Sequence, residues 1–206
     1  MKITALIIAA ATALCCVSCG NKSSSSETDT NITGRWSIED EGAEGGYIFD
    51  NNGTASVYYK PENTYFEAGE FFFFGTHVGG DRLKYDGDIL TAEIMEKNVI
   101  TLDRVGEPAP SDFNGDYIVT GGTMLDSIIK SLGFDGTDKP EIHFRVEDNK
   151  AIVVAVDAMD YVYDGTRLEL KGKHGFPSSD GEAERSGDTL RIKRSDGGER
   201  VLNKVK

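Results

Sequence analysis

Between residue 32 and the C-terminus, apolar and polar residues alternate in short runs. Leu90, Ala92 and Ile94 are separated by Thr91 and Glu93; Leu168 and Leu170 sit among Arg167, Glu169 and Lys171; Leu190 and Ile192 flank Arg191. A period of two places one face of a strand in the core and the other in water, so these runs predict antiparallel β-strands. Asn52-Gly53, Asp86-Gly87, Asp164-Gly165 and Asp196-Gly197 fall between such runs, and residue pairs that tolerate positive φ close tight hairpins. Phe71 to Phe74 and Ala151 to Val156 are apolar at every position, which predicts strands covered on both faces; the phenylalanines also permit an aromatic wall for an apolar ligand. One helix interrupts the pattern. Leu125, Ile128, Ile129 and Leu132 form an apolar stripe, Thr123 with Asp126 has capping-box spacing and Gly133 can end it, predicting a helix over 123–132.

Two segments resemble each other across Glu107-Pro108-Ala109-Pro110-Ser111, a Pro-rich break that disfavours helix and central strand. Ile32-Thr33-Gly34-Arg35-Trp36-Ser37-Ile38 matches Phe113-Asn114-Gly115-Asp116-Tyr117-Ile118-Val119. Gly87-Asp88-Ile89-Leu90 with Leu102-Asp103-Arg104-Val105 matches Gly187-Asp188-Thr189-Leu190 with Leu202-Asn203-Lys204-Val205 at the same spacing. A third turn, Tyr163-Asp164-Gly165, echoes Tyr85-Asp86-Gly87. Matching starts and equally spaced ends point to a duplication. The resulting division is 32–106 as one β repeat, 107–111 as linker and 112–206 as a second repeat carrying the helix.

The N-terminus carries an address. Lys2 is followed by an apolar run from Ala5 to Leu14, too short to span a bilayer but suited to a secretory signal. Val17-Ser18-Cys19-Gly20 resembles the bacterial lipobox, with Cys16 where Leu is usual. The resemblance implies a signal peptide over 1–18, cleavage before Cys19, diacylglycerol on its sulfur, and a cell-envelope location on the extracytoplasmic side of a membrane. Residues 19–31, serine-rich and polar, then read as a flexible lipid-anchored tether. Cleavage removes Cys15 and Cys16, so neither a disulfide framework nor a cysteine metal site is expected.

Charge narrows the partners. The net charge of −13 repels nucleic acid and anionic membrane surfaces. Seven basic residues between Arg185 and Lys206 read either as a docking patch or as a solvated strand face.

Candidate chemistry is sparse, and the sequence offers no catalytic set and no cofactor or metal set. His77, His143 and His174 have no second histidine or cysteine at ligand spacing. Ser178 and Ser179 near His174 lack a nucleophile-elbow pattern, and Gly121-Gly122-Thr123 lacks the lysine of a phosphate loop. Asp135, Asp138, Asp157 and Asp160 fit hydrogen-bonded turns or a calcium site without the EF-hand loop pattern. The lipobox, the polar tether and the Gly-x-Trp and Gly-x-Tyr openings together resemble small lipocalin-like β-barrel modules of bacterial lipoproteins. The resemblance implies an all-β fold of two small barrels in tandem, the alternative being one larger barrel or sandwich built from both repeats. It implies no catalytic residues. The expected function is a non-enzymatic β module binding a small apolar ligand or an envelope protein. Two alternatives stand beside it: an interaction protein with a filled core, and an extracytoplasmic hydrolase using paired carboxylates.

Overall fold

The computed structural model describes residues 30–38, 44–95, 97–110, 112–134, 137–193 and 197–206. The signal segment, most of the tether and Cys19 lie outside the described residues.

The strands follow the alternation closely. Three open the chain: β1 (Gly34–Ile38), β2 (Glu44–Phe49) and β3 (Thr54–Lys60). Short strands β4 (Tyr65–Glu67), β5 (Glu70–Phe73), β6 (Thr76–Val78) and β7 (Leu83–Tyr85) come next, then β8 (Ile89–Met95) and β9 (Asn98–Arg104). Beyond the Pro-rich break lie β10 (Gly115–Gly121), the helix α1 (Leu125–Ser131), β11 (Ile142–Glu147) and the 14-residue β12 (Lys150–Tyr163). The chain closes with β13 (Arg167–Gly172), β14 (Ser179–Ser186), β15 (Thr189–Lys193) and β16 (Glu199–Lys204).

Among the described residues all sixteen strands belong to one antiparallel sheet, and eight of them close a barrel. Around that barrel run β13, β14, β15, β16, β1, β2, β3 and β12, which returns to β13 through Met159↔Gly172 to Tyr163↔Leu168. Closure gives each of these eight strands a partner on both sides, whereas β6 and β7 of the remaining strands each pair along one edge. The expectation of one barrel per repeat is corrected here, because the closed barrel takes β1 to β3 from one side of the Pro-rich break and β12 to β16 from the other. The remaining strands form a second lobe branching from the same β12. Its N-terminal half pairs with β11 (Ile142↔Ala155), and β11 leads through β10 and β9 to β8 and β7. On its other edge, β4 joins at Lys150↔Tyr65 and continues into β5 and β6.

The branch occurs at a bulge. Along the β3 edge the register jumps from Ala155↔Val57 to Met159↔Ala55, so β12 carries two extra residues there. Asp157 within it has φ 52°, and the Ser56 hydroxyl accepts its backbone N–H at 3.2 Å. Extra residues bend and twist a strand. That bend lets one strand leave β11 and join β13 without losing its hold on β3.

Burial explains the strand spacing. Trp36, Phe49, Ala55, Met159, Leu168, Leu190 and Leu202 point into the barrel, and none is more than 2% exposed. The same core continues without a break through Phe71, Leu90, Leu102, Tyr117 and Phe144 of the second lobe. Side chains fill the barrel interior. Of the run Ala151 to Val156, the first five residues are covered on both faces, as expected, and Val156 is half-buried: Ala151, Val153 and Ala155 join the main core, while Ile152 and Val154 pack with Tyr58 in a smaller cluster. The expectation for Phe71 to Phe74 is corrected. Phe71 and Phe73 are buried, but Phe72 and Phe74 are half-buried, and Phe72 stacks on Tyr65 at 4.6 Å on the outer face.

The helix is shorter than 123–132 and starts differently. Thr123 does not cap it. Its hydroxyl donates to Lys97 O at 2.7 Å and accepts from Val99 N–H at 3.0 Å, fastening the β8–β9 turn instead. The end is as expected: Gly133 at φ 89° donates to Lys130 O and Phe134 to Ile129 O, a Schellman motif that seats Phe134 in the core against Phe176.

Candidate functional site

The candidate site is a cleft at the mouth of the second lobe, about 440 Å³ in volume. Its floor follows from the alternation in β4 and β5. Phe66 and Phe71 are directly opposed across that hairpin and point inward, with their rings stacked at 4.5 Å. Phe113, just ahead of β10, stacks on Phe66 at 4.6 Å, and Tyr85 at the end of β7 stacks on Phe113 at 4.7 Å. Four rings thus form one column running from the core to the cleft. Offset aromatic stacks of this kind contribute about 0.5–1.5 kcal/mol per pair beyond area burial.

The rim has a single sign of charge. Among the residues lining the cleft, Glu67 and Asp112 are the charged ones, and both are exposed. Ala68 and Gly69 close the β4–β5 hairpin at φ 52° and 81°. An alanine in the left-handed region carries strain, and such strain collects at ligand clamps as well as tight turns.

Behind the column, Arg104 holds the site together. Its guanidinium donates to Tyr117 Oη at 2.8 Å, Tyr85 Oη at 3.1 Å, Asp112 O at 3.0 Å, Asn114 O at 2.7 Å and Glu107 O at 3.1 Å. The Tyr85 hydroxyl lies 2.9 Å from Ala109 O and 3.2 Å from Tyr117 Oη, and Tyr117 donates to Phe113 O at 3.0 Å. Burial, then the neighbouring Tyr85 hydroxyl, push the Tyr117 phenol up despite the Arg104 charge, so Tyr117 stays neutral and can serve as donor. These bonds fasten the Pro-rich segment to β9 and set Phe113 against Phe66. They position the cleft.

The residues singled out in the sequence go elsewhere. His77 pairs with Glu70 at 2.7 Å on an exposed strand face. His143 lies between Asp116 (3.1 Å) and Glu141 (2.6 Å) on the outer face of β10 and β11, with Arg145 on the far side of Asp116 at 3.6 Å. The hydrogen bond to Asp116 raises the His143 pKa against the opposing effect of burial, and Glu141 adds to the rise. Burial would raise Asp116, but His143 and Arg145 hold it below the usual carboxylate range. His174 pairs with Asp138 at 2.9 Å, and the Ser178 hydroxyl accepts from Gly172 N–H at 3.0 Å. Asp157 and Asp160 share Lys173 at 2.9 and 2.6 Å, while Asp135 lies outside the described residues. No group of three or more metal-ligating side chains forms among the described residues. The basic C-terminal run is largely engaged within the chain. Arg191 pairs with Glu199, Lys206 pairs with Asp188, and Arg185 and Lys204 lie over the Trp36 ring at 5.7 and 5.6 Å.

Phe66 and Asp112 escaped the sequence reading, Phe113 and Arg104 were legible only as positions of the repeat, and Tyr85 only as a turn residue. One signal was available. In the matched turn the residue equivalent to Tyr85 is Arg185, so the two repeats differ at the position that faces the cleft.

No helix among the described residues is long and apolar enough to cross a membrane. Comparison with known proteins gives no family model, no curated protein and no solved structure that matches this chain.

Proposed function

We propose that this chain is a lipid-anchored, extracytoplasmic, non-enzymatic β module that binds a compact neutral or cationic ligand with an apolar face in the cleft of its second lobe. The observation that carries the reading is the ring column Phe71–Phe66–Phe113–Tyr85 ending in an open cleft whose charged lining residues are Glu67 and Asp112. Aromatic rings favour apolar or cationic groups, and a carboxylate rim rejects anions. The filled barrel interior supports a site at the mouth rather than in a hollow calyx. Anchoring rests on the lipobox-like Val17-Ser18-Cys19-Gly20.

Two measurements test the two parts. Backbone amide NMR of the protein, titrated with phenyltrimethylammonium and separately with benzenesulfonate, should show the cation shifting Glu67 to Gly69 and Asn149 while the anion does not. Joint Glu67→Lys and Asp112→Lys substitution should reverse that preference. No shift at these amides with either probe overturns the binding site. For the anchor, Cys19→Ala should abolish incorporation of labelled fatty acid in a bacterial host, and continued incorporation overturns it.

A further inference from the structure

The ends of the two lobes match strand for strand, but each lobe draws its matching strands from different halves of the chain. Trp36 on β1 is in register with Lys204 on β16 and Tyr47 on β2; Tyr117 on β10 is in register with Arg104 on β9 and Phe144 on β11. Lys204 lies 5.6 Å over the Trp36 ring and Arg104 5.4 Å over the Tyr117 ring. Leu190 faces Leu202 as Leu90 faces Leu102. Backbone bonds repeat too: Lys204 N–H to Asp188 O and Arg104 N–H to Asp88 O are each 2.7 Å, and Val205 N–H to Arg35 O and Val105 N–H to Asp116 O are each 2.8 Å. Gly34 and Gly115 both have positive φ, 118° and 149°, and a Cβ on either would meet the basic side chain, Lys204 Cε at 3.2 Å or Arg104 Nη2 at 2.9 Å.

In each case the opening strand of one repeat pairs with the closing strand of the other. The exchange runs through a seam of two long strand paths. β12 gives its first half to β11 and its second half to β13. Opposite it, β3 pairs with β2 and β4 pairs with β5, with Pro61 between them and both lying on one edge of β12.

We infer that the two halves of this chain are each other's binding partner: residues 32–106 and 112–206 exchange strands reciprocally across the β3/β4–β12 seam, so the chain is a fused strand-exchanged dimer. Three opening strands of each half complete the lobe that the other half closes. The cleft is shared in the same way, with Phe66 and Tyr85 from the first half and Phe113 and Asn149 from the second. Exchange of identical elements between protomers is a low-cost route to dimers, and fusing the two copies makes the arrangement independent of concentration.

The test cuts the connection in the otherwise complete chain. A specific protease site inserted between Gly106 and Glu107, both exposed, is cleaved under native conditions. Native mass spectrometry should then report a single 1:1 complex of the two fragments with the mass of the uncut protein plus one water, separating only in denaturant. Two folded monomers overturn the inference. Should the insertion prevent folding, native-state hydrogen exchange in sub-denaturing urea on the unmodified chain decides. Amides of β1 to β3 should open with β13 to β16 or with the whole molecule; opening of β1 to β3 together with β7 to β9 overturns it.

Discussion

Trp36 and Tyr117 occupy matching positions at the two lobe ends, and each donates to the carbonyl four residues before it. Trp36 Nε1 reaches Ile32 O at 2.6 Å and Tyr117 Oη reaches Phe113 O at 3.0 Å. Both side chains are fully buried, so each bond satisfies a carbonyl where the chain enters its first strand of the repeat. Tyr117→Phe keeps the ring but leaves Phe113 O and the Arg104 guanidinium short of a partner. It should destabilise by about 1–3 kcal/mol, measured as a lower urea midpoint with unchanged m-value.

Arg104 ties β9 to the Pro-rich segment and to both tyrosines through one guanidinium. Its planar fork reaches several acceptors at once, which a lysine cannot copy. Arg104→Lys should cost about 1–2 kcal/mol and speed amide exchange at Ala109 and Asp112, whereas Lys204→Arg should change stability little. Equal effects from both substitutions would contradict this role.

Gly46 accepts no side chain. A Cβ there would lie 2.0 Å from Trp36 O, a backbone atom of the neighbouring strand. Gly46→Ala therefore has to displace β1 from β2, at a cost of about 3 kcal/mol or more. Gly69, with open space where its Cβ would point but a φ of 81°, should lose far less on the same change. Thermal unfolding of the two variants side by side checks the order.

His143 links stability to pH. Its pKa is raised in the folded state from an ordinary value of 6.5, first by the Asp116 hydrogen bond. The stabilisation from its charged form is complete below about 6.5 and is lost as pH rises through the higher folded value. From the facing strand β10 the groups near it are Asp116, and from its own strand and the turn before it Arg145 and Glu141. His143→Gln should flatten the fall in stability on the alkaline side of 6.5, and an unchanged pH profile would refute the assignment.

Two turn aspartates act at the opposite end of the scale. Asp86 accepts backbone N–H bonds from Ile89 and Asp88, and Asp164 accepts from Thr166 and Arg167, so both carboxyls are held below the ordinary value of 3.8. Their contribution is present above that value and is lost as pH falls through the lower folded one. Asp86→Ala and Asp164→Ala should each reduce the acid-induced part of unfolding, read from urea midpoints at pH 3 and pH 6.

The strands, the hairpin turns at Asp86-Gly87 and Asp164-Gly165, the doubly covered run at Ala151 to Ala155 and the helix end at Gly133 were all legible in the sequence. Each depends on residues within a few positions of one another: a period of two, a residue tolerant of positive φ, an apolar stripe. Thr123 misled because a hydroxyl at capping spacing was taken by Lys97 and Val99, which come close only after folding. The Phe71–Phe74 run misled because apolarity along a strand does not say which face is covered. Pairing partners are a matter of tertiary structure. Short equivalent strands from two similar repeats can close on themselves or on each other with the same local signals, and the change of β12 from β11 to β13 coincides with the bulge around Asp157. The cleft was hidden for the same reason, since Phe66, Tyr85 and Phe113 meet only once strands from both halves share one core. The sequence alone determined where strands begin, turn and bury a face, because those preferences are local. Tertiary structure decided which strands close which lobe and where the rings stack, because those contacts arise between residues far apart in the chain.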